Sequence, residues 1–189
     1  IGIMFQKNHI LHMKGLVPKD ECNKIINYFE SHSELQYEGK ICNRIDYDLK
    51  KDVEVDCDFN KSHGPSWISK YLNVALEEYH QKYFESAEPM MDTYDKERYF
   101  KIQKYFPSDG YFVYHCESSG LQTSNRVLAW MIYLNDVTDG GHTEFLNQKK
   151  KYQPRAGDVL LWPAYFTHTH RGIPSKSQIK YIVTGWFIF

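Results

Sequence analysis

The sequence predicts a mainly β fold with supporting helices, in which two facing sheets form the core and helices cover one of them. Three observations predict it. Aromatic residues make up 16% of the 189 residues, and aromatics favour strands. The second half, residues 96–189, is a series of short aromatic and β-branched runs broken by PSDG, DGG, PRAGD and RGIPSKSQ, all turn chemistry. The first half, residues 1–95, carries two amphipathic helical patterns among polar loops. Many short strands at this spacing build a sandwich or barrel, and helices preceding them can cover a face.

In chain order, Pro18-Lys19-Asp20-Glu21 opens the first helix, because Pro and acidic residues suit a first helical turn. Cys22, Ile25, Ile26 and Phe29 then fall on one face. A second helix is predicted from Pro65 to about Phe84, with Trp67, Ile68, Tyr71, Leu72, Ala75 and Leu76 in one stripe. Between them, residues 37–60 read as a polar loop with one short strand, long enough to be a binding loop. The predicted strands of the second half are 98–106, 111–117, 126–135, 142–146, 158–162, 166–170 and 180–188.

Length fits a single domain, 1–189, with 1–95 as helical support and loops and 96–189 as the core. Apolar residues are 42% and charged residues 25%, an ordinary globular balance. A formal net charge of −1 argues against nucleic acid or a membrane surface as partner, and no apolar run approaches the ~20 residues that span a bilayer. Cys22, Cys42, Cys57 and Cys116 form no CxxC pair, which disfavours a zinc ribbon or a thioredoxin-like site. The opening stretch lacks a signal-peptide layout, so the expected setting is cytoplasmic and reducing.

One constellation points to chemistry. His115 and Glu117 stand two apart in a strand, so both can face one point. His168 and His170 come from a later strand. Two histidines and one carboxylate form a facial triad that leaves three metal positions open. Lys180 follows His170 by ten residues and opens a strong strand, where its charge can pair with a ligand carboxylate. Taken singly, each of these is common by chance.

The ordered set is not. Tyr133-Leu134-Asn135, Gly140-Gly141-His142-Thr143-Glu144-Phe145 and Pro154-Arg155-Ala156-Gly157 lie between His115-Cys116-Glu117 and the pair His170 and Lys180. In this order they resemble the catalytic core of the prolyl 4-hydroxylase type of Fe(II)- and 2-oxoglutarate-dependent oxygenase, over 105–187. The resemblance implies a double-stranded β-helix, or jelly-roll, with the metal in its mouth. It implies His115, Glu117 and His170 as iron ligands, His170 being preferred over His168 for its spacing to Lys180. Lys180 would bind the distal carboxylate of 2-oxoglutarate, helped by Tyr133, with Tyr105 and Thr184 lining the pocket and Arg126 near the substrate entrance. The family's usual aspartate is here Glu117, one methylene longer.

The implied function is hydroxylation of prolyl residues in a peptide or protein, coupled to decarboxylation of 2-oxoglutarate to succinate and CO2, with ascorbate as a possible requirement. Loops 37–60 and 118–125 are the candidate peptide clamps. An oxygenase of free amino acids or other small molecules, and a catalytically silent jelly-roll binding protein, are the alternatives. Such a site can also take Mn, Co, Ni or Zn.

Overall fold

The computed structural model describes residues 8–41, 44–61, 64–88 and 95–189. Helix α1 (Lys19–Ser31) starts directly after Pro18, with Asp20 and Glu21 in its first turn, and buries Cys22, Ile25 and Phe29. The predicted second helix is divided. A 3-10 turn (Ser66–Ile68) leads into α2 (Ser69–Lys82), and Tyr83 leaves helical geometry before the short α3 (Phe84–Ala87). Ile68, Leu72, Ala75 and Tyr79 are its buried stripe.

The strands form two antiparallel sheets. The larger runs β1 (Leu11–Met13), β10 (Val159–Pro163), β7 (Arg126–Tyr133), β12 (Lys180–Ile188), β5 (Tyr99–Tyr105), β3 (Val53–Asp58) and β2 (Tyr37–Glu38), with β4 (Asp95–Lys96) on the far end of β12. The smaller runs β6 (Tyr111–His115), β11 (His170–Gly172), β8 (Thr143–Phe145) and β9 (Lys150–Tyr152). This is the double-stranded β-helix that the motif order implies.

Strand parity divides the core into two layers. On β7, Leu128, Trp130 and Ile132 join Ile25, Phe29, Leu72 and Val183 under the helices. Ala129, Met131 and Tyr133 face the other way, into the space between the sheets, with Phe145, Leu160, Trp162 and Ile182. At Gly185 on β12 a Cβ would lie 2.4 Å from the Trp130 ring, so only glycine lets that indole lie flat against the strand.

Two predicted strands are corrected. Residues 166–170 are not one strand: Phe166–His168 is a 3-10 turn, closed by His168 N–H to Tyr165 O (2.9 Å) and Thr169 Oγ1–H to Phe166 O (2.8 Å), and β11 starts at His170. The strand at 111–117 ends at His115, because Glu117 and Ser118 both donate their N–H to Ala164 O (2.9 Å each) instead of continuing the ladder. Among the described residues no helix is long and apolar enough to cross a membrane.

Candidate metal and cosubstrate site

His115, at the end of β6, is paired in register with His170, at the start of β11. Their rings lie 4.4 Å apart. Each ring is oriented by its own backbone. His115 Nδ1 is 3.1 Å from Val113 O, and His170 Nδ1 is 3.0 Å from His168 O. A carbonyl only accepts, so each Nδ1 carries the proton and each Nε2 presents a lone pair. Both lone pairs point at one atom. Glu117 Oε1 is 3.5 Å from His115 Nε2 and 3.3 Å from His170 Nε2.

Three acceptors facing one another repel unless a cation sits among them, and the three ligand atoms lie within 4.8 Å of one another. The donor set therefore fits a divalent metal. Protonation states agree with ligation. Burial lowers the His115 value, and the neighbouring His170 adds to the effect, which keeps the ring neutral. Burial raises the Glu117 value, but protons on the facing His115 and His170 nitrogens would outweigh it and hold the carboxyl well below the usual carboxylate range, the same positive charge that a metal ion would supply in their place. The second carboxylate oxygen of Glu117 accepts the indole N–H of Trp186 (2.9 Å).

Lys180 opens β12 opposite Tyr105 on β5. It is 3% exposed, lies 4.5 Å over the Tyr105 ring and donates to Gly141 O at 3.2 Å. Among the described residues it makes no ion pair. Burial pulls its ammonium down to about 8, offset in part by Asp52. A buried cation without a carboxylate is costly, and a ligand carboxylate is its natural complement. The glycine pair shapes this corner. Gly140 and Gly141 have φ of 125° and 74°, and a Cβ on Gly140 would lie 2.4 Å from Pro174 O.

These groups line one cavity of about 240 Å³, together with Tyr105, Thr184 and Arg126. Tyr133 is a correction. Its hydroxyl is 2.6 Å from Thr143 Oγ1 and 3.2 Å from Tyr152 O, and it does not reach the cavity; Thr143 lines the wall in its place. His168 is the other. It does not share a strand face with His170: its Nε2 is 2.9 Å from Asn8 O, and only its carbonyl serves the site.

The wall on β3 and β5 was not anticipated. Lys50 ion-pairs with Glu54 and lies 3.2 Å from Asp52 Oδ2, and Lys101 is 2.5 Å from Glu54 Oε2. Gln103 donates to Asp52 Oδ2 at 2.9 Å and Glu54 Oε1 at 2.7 Å. Glu54 thus has three donors, and its carboxyl is driven down against burial by Lys50 and Lys101. Asp52 keeps one oxygen without a partner among the described residues, and burial drives its carboxyl up. In the sequence, Asp52 and Glu54 alternate with Val53 and Val55, which reads as polar-out. The valines in fact face the helices, and the acids face inward.

Outside the metal cluster the cavity opens into a groove of about 1260 Å³. Tyr37, Lys40 and Ile41 stand on one side and Ser119 to Thr123 on the other.

Residues 100–188 match the family model of the 2OG-Fe(II) oxygenase superfamily. The matched stretch is just under half of the chain, and over it the protein is similar to that superfamily. Over 111 residues, half of the chain, the protein is 30% identical to a protein of Acanthamoeba polyphaga mimivirus that carries a prolyl 4-hydroxylase name; the match spans 46% of that relative's length. Two solved structures share the fold. One is a viral collagen prolyl hydroxylase of Paramecium bursaria Chlorella virus-1 in complex with 2OG, with 19% identity, a TM-score of 0.66 and 98% of each chain covered. The other is a Trichoplax adhaerens prolyl hydroxylase in complex with a hypoxia inducible factor peptide fragment, with 15% identity, a TM-score of 0.74, and 96% of this chain and 84% of that one covered. The matched stretch contains His115, Glu117, His170 and Lys180, while the polar wall from Lys50 to Glu54 comes from outside it.

Proposed function

We propose that the protein is an Fe(II)- and 2-oxoglutarate-dependent hydroxylase acting on prolyl residues in a peptide or protein. The observation that carries the reading is the convergence of His115, Glu117 and His170 in the same cavity as the buried Lys180, which makes no ion pair among the described residues. A metal alone would explain the first feature and not the second. A dicarboxylate cosubstrate explains both.

Bound Fe(II) and 2-oxoglutarate would supply the oxidising chemistry by activating O2, one oxygen atom going into succinate as CO2 is lost and the other into the substrate hydroxyl. The chain's own residues bind and orient. The backbone carbonyls of Val113 and His168 fix the two imidazoles. Lys180, above the Tyr105 ring, anchors the distal carboxylate, and Thr184 lines the pocket between them and the metal cluster. Trp162 and Phe145 pack against His170 and keep water from that side. Arg126 stands at the mouth. The open groove favours a chain-like substrate over a free amino acid, since a small molecule needs only the inner cavity. Ascorbate would keep the iron ferrous, and the free thiols of Cys22, Cys57 and Cys116 suit a reducing intracellular setting.

The test is incubation with Fe(II), ascorbate, 2-oxoglutarate and a library of proline-containing peptides, following succinate and the gain of one oxygen atom by the peptide. No succinate together with no 2-oxoglutarate binding overturns the enzyme reading. Turnover of free amino acids without turnover of peptides replaces the substrate class.

A further inference from the structure

We propose that Trp186 is a positioning residue that holds Glu117 as a one-oxygen metal ligand, compensating for a carboxylate carried on a longer side chain than the site's usual aspartate. Glu117 has one more rotatable bond than an aspartate. Left free, it can swing away or offer both oxygens to the metal, which would use one of the three positions that cosubstrate and O2 need.

The geometry divides the two oxygens between two tasks. Oε1 faces both histidine nitrogens, at 3.3 and 3.5 Å, and Oε2 accepts the Trp186 indole N–H at 2.9 Å. An indole N–H is a donor only, so it cannot compete for the metal. The indole is itself pinned. The Arg126 guanidinium lies 3.5 Å from its ring centroid, and that guanidinium is tethered by Glu97 Oε2 at 3.3 Å. Strand parity puts the lock in reach: Lys180, Ile182, Thr184 and Trp186 all face the cavity from β12. One strand thereby carries both the cosubstrate anchor and the holder of the metal carboxylate.

This inference rests on the metal reading above, and the experiment separates the two. Mn(II) is titrated into the full chain as wild type, W186F, E117D and the double variant, with thermal midpoints measured alongside. Phenylalanine keeps an aromatic face for Arg126 but removes the N–H together with one of the two fused rings, so the thermal midpoint reports any packing lost with it. The expected result is a loss of about 10–100-fold in Mn(II) affinity for W186F at an unchanged midpoint, the usual cost of deleting a partner of a metal ligand. In the E117D background the same change has little effect, because the shorter carboxylate no longer reaches the indole. Equal affinity of W186F and wild type overturns the lock and leaves the metal site standing, and so does an equal loss in both backgrounds. Wild type that binds no Mn(II) overturns both.

A second measurement needs no Trp186 variant. In the 15N-labelled chain with Zn(II), the Trp186 indole N–H signal has a hydrogen-bonded shift that moves toward free indole in E117D. An unmoved signal refutes the contact.

Discussion

Raising the pH from 7 to 9 should weaken 2-oxoglutarate binding about tenfold through one group, Lys180. The ammonium has an ordinary value of 10.5 and is pulled down to about 8 by burial. Its charged fraction therefore falls from about nine-tenths at pH 7 to about one-tenth at pH 9. Only the charged form pairs with the cosubstrate's distal carboxylate, so binding takes up a proton above pH 8. Stability of the ligand-free protein has the opposite sign. The folded value lies below the unfolded one, so the unfolded chain binds more protons between about 8 and 10.5, and stability rises with pH across that window. Below it the buried charge costs about 3 kcal/mol. Lys180→Met removes that cost and should raise apoprotein stability by up to about that amount, while weakening 2-oxoglutarate binding by about 2–5 kcal/mol. The assay is anaerobic calorimetry of 2-oxoglutarate with Mn(II) present, at pH 7, 8 and 9, on wild type, Lys180→Arg and Lys180→Met. Arginine stays charged throughout and gives a flat profile. A flat wild-type profile, or a Lys180→Met variant that binds 2-oxoglutarate normally, refutes the anchor role.

Three further outcomes follow from the packing. Tyr133→Phe should cost about 1 kcal/mol in denaturant unfolding, from the lost bond at Thr143, and leave 2-oxoglutarate affinity unchanged; weakened cosubstrate binding would return Tyr133 to the pocket. Glu54→Gln leaves Lys50 with Asp52 alone and the half-buried Lys101 with the exposed Asp56, and should destabilise by about 3 kcal/mol; a thermal midpoint equal to wild type would contradict the buried network. His168→Gln should keep Mn(II) affinity, because its imidazole is turned to Asn8 O and its carbonyl is retained; a tenfold loss would make it a ligand.

How much of this was legible in the sequence depends on where each signal lies. Strand β12 was read at its true limits, because an aromatic and β-branched run with clear turns on both sides has no competing reading. That His115, Glu117, His170 and Lys180 come together in one cavity was legible as spacing in an ordered series of motifs. Tyr133 was misplaced because parity puts it correctly between the sheets, but parity does not say which group takes its hydroxyl. The turn at 166–168 was read as strand because aromatic and β-branched residues suit both, and the side-chain bond of Thr169 that closes it is a local competitor of the ladder. The charged wall was hidden for a stronger reason. A strand covered by helices on one face and lining a wet cavity on the other has the alternation of a surface strand. Trp186 was legible in principle, two residues beyond Thr184 and on the same face as Lys180.

The departure from aspartate has a structural counterpart in the backbone. After His115 the chain leaves the β6–β11 ladder, and both Glu117 and Ser118 are tied to Ala164, in the segment after β10. The Glu117 carboxylate is therefore positioned by a different element from the two histidines. On this same backbone an aspartate would stop one C–C bond, about 1.5 Å, short of the point on which both Nε2 atoms converge. The extra methylene spans that gap, and its added rotational freedom is what the Trp186 N–H removes. Glu117→Asp should accordingly weaken metal binding even though it restores the family's usual ligand. An E117D variant that binds Mn(II) as tightly as wild type would mean that the backbone at 117 follows the metal, and that the longer side chain is incidental.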